Sequence, residues 1–219
     1  MPRGLFITFE GPDGTGKTTQ IERLHAWLTA HGHIALTTRE PGGTSIGEAV
    51  RRLLLDRHTG NLASRAELAL MFASRAQHIA EVIRPALSAG KIVLCDRFTD
   101  SSEAYQGYGR GLGSDIVLAL HHYLCENFQP DLTLLLMFPE GETSYSLARA
   151  LERNRDASKE DESRFEAEGE AFQRRVAQGY AAIAARDPAR VKPIDASGRI
   201  DEIHSSILAQ IELLLASWR

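Results

Sequence analysis

The stretch Phe9–Gln20 reads FEGPDGTGKTTQ and contains Gly-x-x-x-x-Gly-Lys-Thr from Gly11 to Thr18. A strand-like run, LFITFE, leads into it and an amphipathic stretch, TQIERLHAWLTAHG, follows. In that context Gly11, Gly14 and Gly16 let the backbone curl until several N–H groups converge on one phosphate. The start of the following helix adds a positive partial charge. Lys17 is placed to reach the β- and γ-phosphates, and the Thr18 hydroxyl suits a Mg²⁺ ion. The chemistry expected of this loop is the binding of a nucleoside triphosphate.

What is done with the phosphate depends on what faces the loop. A GTPase switch needs an Asn/Thr-Lys-x-Asp guanine reader, and the sequence has none; the signature of an ABC-type ATPase is missing too. Arginines recur instead at the ends of candidate strands or on a pocket-facing helix, where Arg75 lies one turn beyond Met71 and Phe72 on the same face. TTREPGGT (37–44) carries Arg39, VLCDRFTDSS (93–102) carries Asp96 and Arg97, and FASRAQH (72–78) carries Arg75. A second anionic ligand beside the triphosphate explains three such arginines together.

The elements that must position these groups are short. Apolar runs at 4–9, 33–38, 91–95, 131–138 and 190–195 read as strands, and helical stripes lie between them. One stripe joins Leu68, Met71, Phe72, Ile79, Val82, Ile83 and Leu87; another joins Ile200, Ile203, Ile207, Leu208, Ile211, Leu214 and Leu215. Strands alternating with helices need crossovers, so the sheet is expected to be parallel and covered on both faces, with ligands beyond the carboxyl ends of its strands. The chain has 219 residues, 43% of them hydrophobic, which suits one core and one domain spanning 1–219. A net charge of −4 argues against a nucleic-acid surface. Cys95 and Cys125 read as reduced thiols of a cytoplasmic protein. The first apolar run is short for a signal peptide, and no run approaches the roughly 20 apolar residues of a membrane span.

Five pieces, FEGPDGTGKTTQ, TREPGGT, FASRAQH, DRFTDSSEAYQG and the late DASGRIDEI, together resemble the bacterial thymidylate kinases, over essentially the whole chain. Adenylate kinases, close in fold, lack both TREPGGT and DRF…AYQG. The resemblance implies a P-loop NTPase α/β fold with a five-stranded parallel sheet and a lid at about 149–166. It implies a single nucleoside monophosphate kinase domain, transfer from Mg²⁺–ATP to dTMP on the route to dTTP, and a homodimer packed through helices beside the monophosphate pocket. The stripe on 66–89 suits that interface, and core packing explains it equally well. The alternative is a kinase of another pyrimidine monophosphate such as dUMP. A rival from another class is a P-loop regulator that binds nucleotide without turning it over.

The roles carry over by position. Gly11, Pro12, Asp13, Gly14, Thr15, Gly16, Lys17, Thr18 and Thr19 would hold ATP, with Asp13 also meeting the 3′-hydroxyl of dTMP. Arg97 would grip the dTMP phosphate, with Arg39 and Arg51 as weaker candidates, and Asp96 would join Thr18 at the magnesium. Arg75 would bond thymine O4. Phe72 is preferred over Met71 for packing on the base. Ser102 and Gln106 would lie near N3 and the far edge of the base, and Tyr105 where a 2′-hydroxyl would sit. Arg149 would stack on adenine, Asp195 and Ala196 would close over it, and Arg153 would be the lid arginine, ahead of Arg155 and Arg164. Two departures stand out. The lid is longer than the family's, with Ser163 in place of its acid, and Met137 stands where an aspartate is common.

Overall fold

The computed structural model describes residues 3–56, 62–139, 165 and 168–218. Its strands are β1 (Phe6–Glu10), β2 (Ala35–Arg39), β3 (Ile92–Asp96), β4 (Leu132–Met137) and β5 (Val191–Asp195). All pair in parallel, in the order β2-β3-β1-β4-β5. The strand runs expected from the sequence lie within a residue or two of these bounds, and the parallel five-stranded sheet is as expected. Helices α1 (Lys17–Ala30), α2 (Ser45–Leu55), α3 (Ser64–His78), α4 (Arg84–Ser88), α5 (Thr99–Ser102), α6 (Ser114–Cys125), α7 (Glu170–Arg186) and α8 (Ile200–Ser217) connect and cover them.

Alternation along the central strand sorts the core. Ile7 and Phe9 pack with Leu24 and Leu28 of α1 and Ile207 and Ile211 of α8 on one face. Phe6 faces the other way, against Leu68, Phe72, Ile83 and Val117. Glu10, two pleats from Phe6, is on that second face and fully buried. The stripe at 66–89 is not one α-helix: Ile79–Ile83 form a π turn between α3 and α4. Pro85, in the first turn of α4, lacks an N–H for the α ladder, and the π turn absorbs the break. Another π turn, Glu103–Gly109, follows α5. Among the described residues no helix is long and apolar enough to cross a membrane.

Parallel strands bring five carboxyl-terminal ends to one edge. Glu10, Arg39, Asp96, Met137 and Asp195 are the last residues of the five strands, so everything in the loops after them meets there. Met137 is half-buried against the apolar cluster containing Leu135, Val191 and Tyr180. A methionine at the place of the family's aspartate thus serves as packing.

Candidate active site

At that edge lies a cleft of about 1100 Å³. Its lining joins the phosphate loop (Asp13, Gly14, Gly16, Lys17, Thr18, Thr19) to Arg39, Arg51, Met71, Arg75, Asp96, Arg97, Ser102, Tyr105 and Gln106. Sixty or more residues separate the loop from most of these groups, and the sheet edge brings them together. Gly11, Pro12 and Thr15 form the loop's buried underside. A Cβ on Gly11 would stand 2.0 Å from the Leu136 carbonyl oxygen, at φ 128°, so only glycine allows the loop to lie on β4. Lys17 folds back within the loop, its Nζ donating to the carbonyls of Gly11 (3.0 Å) and Pro12 (2.9 Å). Burial pushes its ammonium down to about 8, and Arg97 adds to the effect. A phosphate dianion there would restore full charge to the lysine.

Arg97 stands at the centre. It follows β3 with φ 70°, a left-handed backbone that a bulky residue adopts at a cost. Nη1 donates to the Gly11 carbonyl (3.0 Å), Ser101 Oγ (3.1 Å) and the Tyr180 hydroxyl (3.1 Å). Nη2 donates to Asp13 Oδ1 (2.6 Å) and the Tyr105 hydroxyl (3.3 Å). The Tyr105 hydroxyl in turn donates to Asp13 Oδ2 at 3.1 Å. The residues expected to meet the sugar and phosphate of the acceptor thus form one connected group. Arg39 and Arg51 reach the cleft with other engagements: Arg39 pairs with Glu48 at 3.0 Å, and Arg51 Nη1 donates to the Pro41 carbonyl at 3.1 Å.

Under Arg97 lies a residue the sequence analysis passed over. Glu10 accepts from the Phe98 N–H (2.7 Å), from Ser101 Oγ and from the Tyr180 hydroxyl (3.1 Å), the two hydroxyls that also receive Arg97. Burial, then the charge of Asp100, raises its carboxyl from 4.5 to about 7. A raised acid binds its proton in the folded state first, so the stability it contributes is present below about pH 4.5 and is lost as the pH rises through about 7. Glu10→Gln cannot titrate. Relative to wild type, its urea-unfolding free energy is expected to improve by about 3 kcal/mol across that window. A difference between the two proteins that stays constant with pH would refute the assignment. The clue in the sequence was a lone charge ending an apolar strand.

At the far end Arg75 is 1% exposed. Nε donates to Glu40 Oε2 (2.7 Å), and Nη2 donates to the Phe98 carbonyl (3.0 Å) and Ser102 Oγ (2.9 Å). Glu40 Oε1 also faces His78 Nδ1 at 2.9 Å, and His78 Nε2 lies 2.6 Å from Thr38 Oγ1. A Cβ on Gly43, at φ 76°, would strike that imidazole at 2.5 Å, so the glycine of TREPGGT makes room for the network. Arg75 Nη1 is buried and has no hydrogen-bond partner among the described residues. Gln106 Oε1 and Asp96 Oδ1 share that condition.

The preference for Phe72 needs correcting. Phe72 is fully buried in the core, with the Arg75 guanidinium 4.8 Å above its ring, and it does not line the cleft. Turning it out would forfeit about 2–3 kcal/mol of burial. Met71, one residue earlier, already faces the cleft and is the side chain available to a ring there. Asp195 and Ala196 lie at the end of β5 and off the cleft lining: Asp195 accepts from the Ser197 N–H (2.8 Å) and hydroxyl (2.7 Å), and Ala196 is buried. Arg149, Arg153, Arg155 and Arg164 lie outside the described residues. Phe165, within the expected lid, lines the cleft with its ring 5.6 Å from that of Tyr105.

A Mg²⁺ ion fits the donors present. Asp96 Oδ1 is a buried oxygen without a hydrogen-bond partner among the described residues, and Thr18 offers an exposed hydroxyl in the same cleft. One carboxylate and one hydroxyl, with phosphate oxygens and water, are a usual magnesium set.

A family model described as thymidylate kinase matches residues 9–207. A thymidylate kinase of Desulfovibrio desulfuricans is 50% identical over 212 residues, covering 96% of both chains. One from Syntrophotalea carbinolica is 50% identical over 199 residues, covering 91% of both. The crystal structure of thymidylate kinase from Ehrlichia chaffeensis superposes with a TM-score of 0.75 at 33% identity, covering 96% of this chain and 99% of that one.

Proposed function

The chain belongs to the thymidylate kinase family, and from that premise we propose that this cleft transfers the γ-phosphoryl of ATP to dTMP, giving dTDP. The observation that carries the reading is one cleft whose lining joins the phosphate loop and Arg97 to Arg75, whose Nη1 has no hydrogen-bond partner among the described residues. Nothing favours dUMP or another acceptor as the principal substrate.

The acceptor phosphate has a second pKa of about 6 and is largely dianionic at neutral pH, so no base is needed. Asp13, engaged by Arg97 and Tyr105, is suited instead to the 3′-hydroxyl of the sugar. The obstacle is repulsion between two polyanions. Lys17 and the backbone N–H groups of the loop bind the donor phosphates, and Arg97 holds the acceptor phosphate in line with them. Asp96 and Thr18 would hold a Mg²⁺ ion, which would supply charge neutralisation at the phosphates. Arg75, Met71, Ser102 and Gln106 receive the base, and the ring of Tyr105 lies against the sugar where a 2′-hydroxyl would sit. Gly14 stands where other members of the family carry an arginine, so the lid must bring that charge; Arg153 is the first candidate and Arg149 the adenine contact. Asp195 and Ala196 are then left with the adenine side of the donor. The chain works as one domain, as a homodimer in the cytoplasm, without nucleic-acid or membrane partners.

The test is a coupled ADP-release assay with Mg²⁺–ATP against dTMP, dUMP, UMP and dCMP. dTMP is expected to react fastest and UMP near background. dUMP should fall behind by about 10- to 200-fold, the discrimination one methyl group supplies. Binding of both nucleotides with no turnover of any acceptor would sink the reading and leave a nucleotide sensor.

A further inference from the structure

We propose that Glu67 is a specificity-determining positioning residue: it fixes which end of the Gln106 amide enters the cleft, and so which pyrimidine edge the site accepts. The inference rests on the base-binding role proposed above for Arg75 and Gln106. Glu67 is fully buried on α3 and does not itself line the cleft. Its Oε1 accepts from Gln106 Nε2 (3.0 Å) and Arg110 Nε (3.2 Å), and its Oε2 accepts from Arg110 Nη2 (3.1 Å). Arg110 is itself held, paired with Glu168 and lying 4.9 Å above the Phe172 ring.

An amide can be placed either way round by shape alone, but here chemistry decides. The carboxylate of an ion pair only accepts, and the guanidinium beside it only donates. Gln106 must therefore turn its NH₂ to Glu67; the reverse would set a carbonyl oxygen against a carboxylate oxygen inside the protein. That leaves Gln106 Oε1 as the buried acceptor without a partner among the described residues. Arg75 Nη1 is the matching donor on the lining of the same cleft. Arg75 Nη2 bonds Ser102 Oγ, and Ser102 lies about one turn before Gln106 on the same cleft wall. A donor beside an acceptor complements the O4 acceptor and N3–H donor of thymine. Cytosine presents the opposite pair, an N4 donor beside an N3 acceptor. Glu67, out of reach of the base, thus sets the polarity of the reading.

Glu67→Gln keeps the shape and removes the constraint. With its oxygen on Arg110 Nη2 at the Oε2 position, its NH₂ takes the Oε1 position, gives up the longer 3.2 Å contact with Arg110 Nε and faces Gln106, whose amide can then turn its nitrogen to the cleft. The experiment measures kcat and KM for dTMP and dCMP in wild type, E67Q, Q106A and the double variant. Expected is a fall of about tenfold or more in the dTMP-over-dCMP ratio of kcat/KM for E67Q, carried by KM, and no further fall when E67Q is added to Q106A. A wild type selective for dTMP with E67Q equally selective overturns the inference alone, as does an equal E67Q effect in the Q106A background. A wild type that uses dCMP as well as dTMP overturns the base reading and this inference with it. Should E67Q fail to fold, E67D, which draws the carboxylate back by one methylene, is read the same way and is expected to lower the ratio by a smaller factor.

Discussion

Arg97→Ala is expected to lower kcat for dTMP by about 10³-fold, the usual cost of losing a preorganised cationic group at a transferring phosphate. The guanidinium is preorganised by three anchors on Nη1 and two on Nη2, from the phosphate loop, α5, the π turn Glu103–Gly109 and α7. None has to form during the reaction, so their benefit is fully available when charge develops between donor and acceptor. Arg97→Lys should recover little, because one ammonium cannot hold the Gly11 carbonyl, the hydroxyls and a phosphate together. The backbone offers a separate readout. Arg97 sits at φ 70°, which costs an alanine about 1 kcal/mol more than a glycine. Arg97→Gly should therefore be the more stable of the two variants in urea, yet equally inactive in the ADP-release assay. An Arg97→Ala enzyme retaining a tenth of wild-type kcat would remove the residue from the centre of the mechanism.

The second large effect is on folding. Glu40→Ala is expected to destabilise the protein by about 3–5 kcal/mol in urea unfolding, since it leaves the charge of a buried arginine uncompensated. Glu40 is 4% exposed and Arg75 1%. Burial alone would raise the Glu40 carboxyl, but Arg75 and His78 more than offset this and hold it below the ordinary carboxylate range. A depressed acid contributes stability at neutral pH that disappears as the pH falls through its folded pKa, so the gap between wild type and Glu40→Ala should narrow in acid. Binding reports the same contact. Without Glu40 the Arg75 fork is no longer aimed, and KM for dTMP should rise by about tenfold or more while that for ATP stays near wild type. Equal changes in both KM values would mean that the loss is general and that Arg75 is not the base contact.

Much of this site was legible in the chain because its determinants are local. The phosphate loop depends on glycines and a lysine within a few residues of one another, and Gly11 and Gly16 carry the positive φ their spacing requires. Strand runs and helical stripes are periodic signals of the same short range, and parallel connections place the strand ends together whatever the side chains are. Those rules were enough to put Lys17, Arg75, Asp96 and Arg97 at one edge.

Other features depended on contacts between distant residues, and only the tertiary structure decided them. Whether Met71 or Phe72 meets the cleft turns on the rotation of α3 against the sheet and α6, which the sequence periodicity leaves open by one residue. The π turns at Ile79–Ile83 and Glu103–Gly109 shift every later side chain around the helix axis. Most decisive were three buried carboxylates, Glu10, Glu40 and Glu67, which read in the sequence as ordinary charged residues. Their partners are 35 to 170 residues away: Glu10 with Tyr180, Glu40 with Arg75, Glu67 with Gln106. A buried charge is tolerated only where the fold supplies matching donors, and pairings at such separations leave no periodic trace along the chain. The sequence alone determined which groups are gathered at the strand ends; the packed fold decided how each is aimed.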